Sequence, residues 1–249
     1  MSSALSFDLG PAESLSRELG TLGHVERIAR LLELYGDELR FASSFGLEDS
    51  VLVHLAARAG KLVGKEPFVF LLDTGRLHPE TYELVEHFRD AYRISIRIYA
   101  PNADELQKLV SVRGPNAFYK SVDDRHACCD VRKVEPLSRA LSGARAWVTG
   151  LRKEQSEARS DVSLVAGDEA RPGVLKISPL FDWTFSDLRA FAKAEGVPVH
   201  PLIDRGYPSI GCAPCTRAIA PGEHPRAGRF YWEADQKKEC GLHGRGKKA

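Results

Sequence analysis

Phe68-Val69-Phe70-Leu71-Leu72, followed at once by Asp73-Thr74-Gly75-Arg76, is the stretch that decides the fold. Five consecutive apolar residues leave no face for water. A strand made from them is buried on both sides, as strands inside parallel sheets are. Working outward, helical periods alternate with short apolar runs. Before this stretch the pattern predicts a helix over 22–34, a strand over 39–43 and a helix over 47–59. After it come a helix over 79–92, with Pro79 in its first turn, a strand over 94–99 and helices over 103–112 and 131–141. Strands over 146–149 and 174–177 complete a set of about five. Strands separated by helices of this length form βαβ units, so the expected fold is α/β with a mostly parallel, doubly wound sheet. Residues 1–20 read as a loose leader to an α/β domain spanning 1–203. From about 204 onward Gly, Pro, Arg and Cys dominate without an apolar period. That composition predicts an irregular, mobile arm over 204–249, part of the same functional unit.

The chain has 249 residues, 43% of them hydrophobic and 28% charged, with a formal net charge of +1. That balance supports a packed core and gives no bulk attraction for nucleic acid or an anionic membrane. No apolar run reaches the roughly 18 residues needed to span a bilayer. The acidic first twenty residues lack the order of a signal peptide, so a cytosolic location is expected. Five cysteines, at 128, 129, 212, 215 and 240, make a poor disulfide framework and a suitable set for metal binding or catalysis.

Ligands of open parallel sheets bind beyond the carboxyl ends of the strands. Two strand ends have suggestive chemistry. Ser43-Ser44-Phe45-Gly46-Leu47-Glu48-Asp49 joins a strand to a helix, where small residues expose backbone N–H groups to an anion; it also reads as a simple capped turn. Asp73-Thr74-Gly75-Arg76 follows the central strand and offers an acid, a hydroxyl and a base together. Cys212-x-x-Cys215 is compatible with a metal knuckle or a redox pair. Adjacent Cys128 and Cys129 diverge by about 100° on a helix and converge poorly on one tetrahedral zinc. A four-iron cluster offers each thiolate its own iron, so the spacing favours a cluster over zinc. Cys240, in Glu239-Cys240-Gly241-Leu242-His243, lies on a polar tail where a thiol contributes little to packing. Gly241 and Gly244 would let that tail swing, and nearby basic groups, including a protonated His243, would favour its reactive thiolate. Lys133, Arg152, Lys153, Arg159, Arg226 and Arg229 fall repeatedly at strand ends or beside cysteines, which suits a compact anion.

Taken together, these segments resemble the iron–sulfur branch of the sulfonucleotide reductases, the assimilatory adenylyl-sulfate reductases. The likeness is carried by the Ser43–Asp49 loop, Leu72-Asp73-Thr74-Gly75-Arg76-Leu77-His78-Pro79, Cys128-Cys129-x-x-x-Lys133, Gly150-Leu151-Arg152, Cys212-x-x-Cys215, Arg226-Ala227-Gly228-Arg229 and the terminal motif around Cys240. The resemblance implies an adenine nucleotide α-hydrolase-like fold and a [4Fe–4S] cluster on Cys128, Cys129, Cys212 and Cys215. It implies reduction of adenosine 5′-phosphosulfate to sulfite and AMP with thioredoxin as donor, through an S-sulfocysteine on Cys240. Substrate contacts are then expected from Ser43, Ser44, Phe45, Gly46, Glu48 and Asp49, and from Asp73, Thr74, Gly75 and Arg76. Lys133, Gly150, Arg152, Arg159, Arg226, Arg229 and His243 complete that set. Other readings are a reductase that takes the 3′-phosphorylated nucleotide or both, an ATP pyrophosphatase-type thiolation enzyme, and a cluster-bearing redox sensor without enzymatic activity. Oligomeric state is not legible.

Overall fold

The computed structural model describes residues 10–233, 241 and 242. Cys240 and His243 lie outside them. Six strands form one sheet: β1 (Leu39–Ser43), β2 (Val69–Leu72), β3 (Ile96–Tyr99), β4 (Ala146–Val148), β5 (Val165–Gly167) and β6 (Leu175–Ile177). Their spatial order is β3-β2-β1-β4-β6-β5, and every pairing is parallel except that of β5 with β6.

The continuous apolar reading of the central strand holds, and alternate residues show why. Val69 and Leu71 enter the larger core with Phe41, Ala146 and Val148. Phe70, pointing the other way, joins Trp147, Leu137 and Ala140 in a second cluster. The larger core is covered by α2 (His24–Tyr35), α3 (Leu47–Val63), α4 (Pro79–Tyr92) and α8 (Phe185–Ala194), which contribute Leu32, Val51, Phe88 and Leu188. α5 (Ala103–Arg113) follows β3 in the chain, and α7 (Glu135–Ala140) covers the opposite face. Because side chains alternate along a strand, both faces must be covered for this sequence to be stable.

The structure corrects the sequence reading in several places. Residues 10–20 are not a loose leader but a helix, α1 (Gly10–Gly20), which buries Ala12, Leu15 and Leu19 in the larger core. Leu15 and Leu19 are four apart and share one helical face, which is what docks it. Among the described residues the sheet has six strands where about five were expected, since β5 adds a short antiparallel edge. Helix α8 was not foreseen, although Thr184 and Asp187 form a capping box at its start. The helix expected over 131–141 begins earlier, as α6 (Val122–Cys129), and runs through a π-helical turn at Asp130–Val134 into α7. Pro136 accounts for that turn: it has no N–H to give the Arg132 carbonyl and its ring would crowd it, so the helix widens. No helix among the described residues is long and apolar enough to cross a membrane.

Candidate functional site

Strand order reverses at β1, which lies between β2 and β4. The crevice outside the carboxyl ends of β1 and β4 is therefore a topological switch point, where doubly wound sheets bind ligands. A cleft of about 590 Å³ opens there, a size suited to a nucleotide.

The loop leaving β1 is built on Phe45, a non-glycine residue at φ 56° whose buried ring packs on Phe88 with centroids 5.3 Å apart. Its N–H donates to Ser43 Oγ at 3.2 Å. With Phe45 turned inward, Ser44 and Gly46 line the cleft. Asp49, in the first turn of α3, accepts from the Ser44 N–H at 2.6 Å and its hydroxyl at 2.7 Å. Burial pushes the Asp49 carboxyl up to about 6 against those hydrogen bonds.

The loop leaving β4 meets that turn directly. Arg152 Nη2 and Nε donate to Glu48 Oε1 at 2.8 and 3.0 Å, and Gln155 Nε2 donates to the same oxygen at 2.9 Å. Arg152 also holds Glu154 and the Trp183 carbonyl. A Cβ on Gly150 would collide with the Asp49 carboxylate and approach Glu48 Cβ to 2.8 Å, so glycine lets the two loops close. Arg159 donates to Gln155 and lines the same wall.

The arm supplies the opposite wall through Arg226, Arg229 and His224. Arg229 is buried, its Nη1 donating to the Ile210 carbonyl at 3.0 Å. A Cβ on Gly211 would strike its guanidinium, which is why the residue before Cys212 is glycine.

Beside the cleft, the two cysteine pairs meet. Cys129, Cys212 and Cys215 are buried with Phe118 and Phe230, and Cys128, Trp232 and Leu242 pack against them. All four cysteines are free thiols. Thr74 Oγ1 lies 3.2 Å from Cys212 Sγ. The Cys212 thiol is pulled well down by a hydrogen bond from Cys215, with Lys133, Thr74 and Arg229 assisting against burial. Cys215, as the donor in that bond and itself buried, is pushed up. Burial raises Cys128, opposed by Arg132. Lys133 lines the cleft and acts electrostatically on both Cys212 and Cys215, so one cation serves both sites. It leaves from the π turn, not from a plain α-helical turn after Cys129; single π turns of this kind recur at functional sites. Arg125 pairs with Glu233 in a buried contact and stacks 4.3 Å over Phe230, fastening the arm to α6. Among the described residues, no three His, Cys, Asp or Glu groups are grouped so as to hold a metal ion.

Of the residues singled out from sequence, Ser43, Ser44, Gly46, Glu48, Asp49, Thr74, Lys133, Gly150, Arg152, Arg159, Arg226 and Arg229 come together on the cleft. Phe45, Asp73, Gly75 and Arg76 do not line it. Asp73 accepts from Tyr82 and the Gly75 N–H, and Arg76 holds Asn116 and the Pro115 carbonyl over Phe118. Trp147, Gln155 and His224 line the cleft without having been foreseen. Gln155 lies between the basic residues Lys153 and Arg159, whereas Trp147 reads as core and His224 as loop.

A switch-point cleft with basic walls, joined to a pocket of four thiols, marks a doubly wound α/β protein with a basic cleft beside a cysteine centre. The phosphoadenosine phosphosulfate reductase domain model matches residues 38–218. The chain belongs to that family. It is 48% identical to an adenosine 5′-phosphosulfate reductase of Burkholderia cepacia over 93% of this chain and 91% of that one. It is 47% identical to one from Allochromatium vinosum, covering 92% and 86%. Among solved structures, it is similar to a phosphoadenylyl-sulfate reductase from Candida auris in a phosphate complex, with a TM-score of 0.69, 27% identity and coverage of 87% and 100%. A Candida glabrata FMN adenylyltransferase shares the fold alone, at a TM-score of 0.56, 14% identity and coverage of 93% and 76%.

Proposed function

We propose that this chain reduces adenosine 5′-phosphosulfate to sulfite and AMP, taking electrons from thioredoxin, as a step of assimilatory sulfate reduction. One observation carries the reading: Thr74, Lys133 and Arg229 each belong both to the basic-walled cleft and to the surroundings of Cys212. Relatives named for this reaction support it over nearly the whole chain.

Cys128, Cys129, Cys212 and Cys215 would hold a [4Fe–4S] cluster. Around these thiols Arg132 Nε, Arg229 Nε and Trp232 Nε1 are buried without hydrogen-bond partners, and the sulfurs of such a cluster accept N–H donors of this kind. The cluster would supply a fixed field of negative charge opposed by Lys133. Arg226, Arg229 and Lys133 neutralise the phosphosulfate and orient it. The Cys240 thiolate attacks the sulfate sulfur; an S–S bond forms, the S–O bond to phosphate breaks, and AMP leaves with that electron pair. A thioredoxin thiolate then attacks Cys240 Sγ and sulfite departs with the S–S electrons. The second thioredoxin thiol resolves the mixed disulfide, leaving thioredoxin oxidised and Cys240 a thiol.

Asp49 supports a preference for the nucleotide without a 3′-phosphate. It lines the cleft hydrogen-bonded to Ser44 and opposed electrostatically by Arg159, so a further phosphate placed against it would meet another negative charge. Sulfite release with thioredoxin, measured with each nucleotide, tests the proposal. A higher kcat/KM for adenosine 5′-phosphosulfate is expected; no sulfite from either would defeat it.

A further inference from the structure

His224 lines the cleft beside Arg226 and Arg229 but has no role in the reading above. It opens a turn in which the Ala227 N–H donates to the His224 carbonyl at 2.8 Å. Pro225 stands second in that turn, where its fixed φ is suited. A second turn follows directly, the Arg229 N–H donating to the Arg226 carbonyl at 2.9 Å. The two turns carry both arginines onto the cleft wall. Inside the first, the Arg226 backbone N–H donates to His224 Nδ1 at 3.1 Å, as it would to an Asx side chain.

That bond fixes the chemistry of the ring. A nitrogen that accepts carries no proton, so the imidazole hydrogen sits on Nε2. Nδ1 is turned back into the ring's own turn, and the remaining polar edge of a cleft-lining side chain is a donor. We infer that His224 is a further substrate-binding residue, its Nε2–H donating to the phosphosulfate anion held by Arg226 and Arg229. This rests on adenosine 5′-phosphosulfate being the substrate. The two guanidinium groups supply charge, and the imidazole adds a directional donor whose placement is locked to theirs through the turn.

Two substitutions separate donor from turn. His224→Asn puts Oδ1 where Nδ1 was, so the Arg226 N–H keeps an acceptor, while its amide N–H, set near the Cδ2 position, stops short of where Nε2–H reached. His224→Ala removes both. Equilibrium binding of adenosine 5′-phosphosulfate to the anaerobically purified protein should weaken roughly 10-fold in His224→Asn, the effect of losing one hydrogen bond to a charged group. His224→Ala should lose at least as much, while steady-state kinetics of His224→Asn show a raised KM and a kcat within about threefold of wild type. Wild-type affinity in His224→Asn would overturn the inference, leaving His224 a turn residue only. If the wild-type protein binds AMP but not the phosphosulfate, the substrate reading fails instead. The same comparison made with AMP, which shares the α-phosphate, then decides on the donor.

Discussion

Arg152 Nη2 lies 2.8 Å from Glu48 Oε1, a buried pair that ties the loop leaving β4 to the first turn of α3 across 104 residues of sequence. The pair closes the switch-point crevice into a cleft. Removing Arg152 leaves the Glu48 carboxylate buried without its cation, which costs about 3–5 kcal/mol. Arg152→Ala should therefore lower the melting temperature by roughly 6–20 °C for a chain of this size. Glu48→Gln should cost less, because its amide oxygen still accepts from Arg152. Scanning calorimetry of both variants checks the order, and equal losses would contradict it.

Gly150 marks where the two loops touch. Gly150→Ala places a methyl group against Asp49 and Glu48, and neither the helix turn nor the strand end can move far. Nucleotide binding should fall at least about 10-fold, since small displacements of positioned groups have large effects. Titration with AMP measures it directly.

Asp49 gives a pH dependence with a definite sign. Burial raises its carboxyl to about 6, so the folded protein holds that proton more tightly than the unfolded chain does. Its contribution to stability is full below about pH 4 and is lost as the pH rises to about 6, on the order of 1–3 kcal/mol. An asparagine amide in its place has no such proton to lose. The melting temperature of wild type minus that of Asp49→Asn should be larger at pH 4 than at pH 7; a difference independent of pH would count against it.

The arm is held to the cysteine-bearing helix by Arg125 and Glu233. Arg125→Met leaves Glu233 buried and uncompensated, and should reduce iron content after anaerobic purification by loosening Phe230 and Trp232 from the thiols. The double variant Arg125→Met/Glu233→Met restores charge balance and should recover part of the loss. No difference between single and double variants would show that the pair does not act as a unit.

Much of this fold was legible because burial on both faces writes a continuous apolar run, as at Phe68–Leu72, and because glycine and serine at strand ends announce the loops. What escaped was set by tertiary contact. The pattern of Leu15 and Leu19 is too short to distinguish a docked helix from a leader, and β5 buries only Val165 among its three residues. The π turn was foreshadowed by Pro136 but moves Lys133 in a way that counting by four does not anticipate. The Glu48–Arg152 pair joins two segments whose adjacency only the strand order creates. His224 has no local signal beyond a proline after it.

The account turns on Cys240 as nucleophile, and the most direct measurement is the mass of the enzyme after a single turnover without thioredoxin. Wild-type protein given adenosine 5′-phosphosulfate should gain one sulfonate, about 80 Da, mapped by peptide analysis to Cys240 and removed by a reducing thiol. Cys240→Ser should gain nothing while keeping its iron and its affinity for AMP. An adduct on Cys212 or Cys215, or sulfite turnover by Cys240→Ser, would contradict the account.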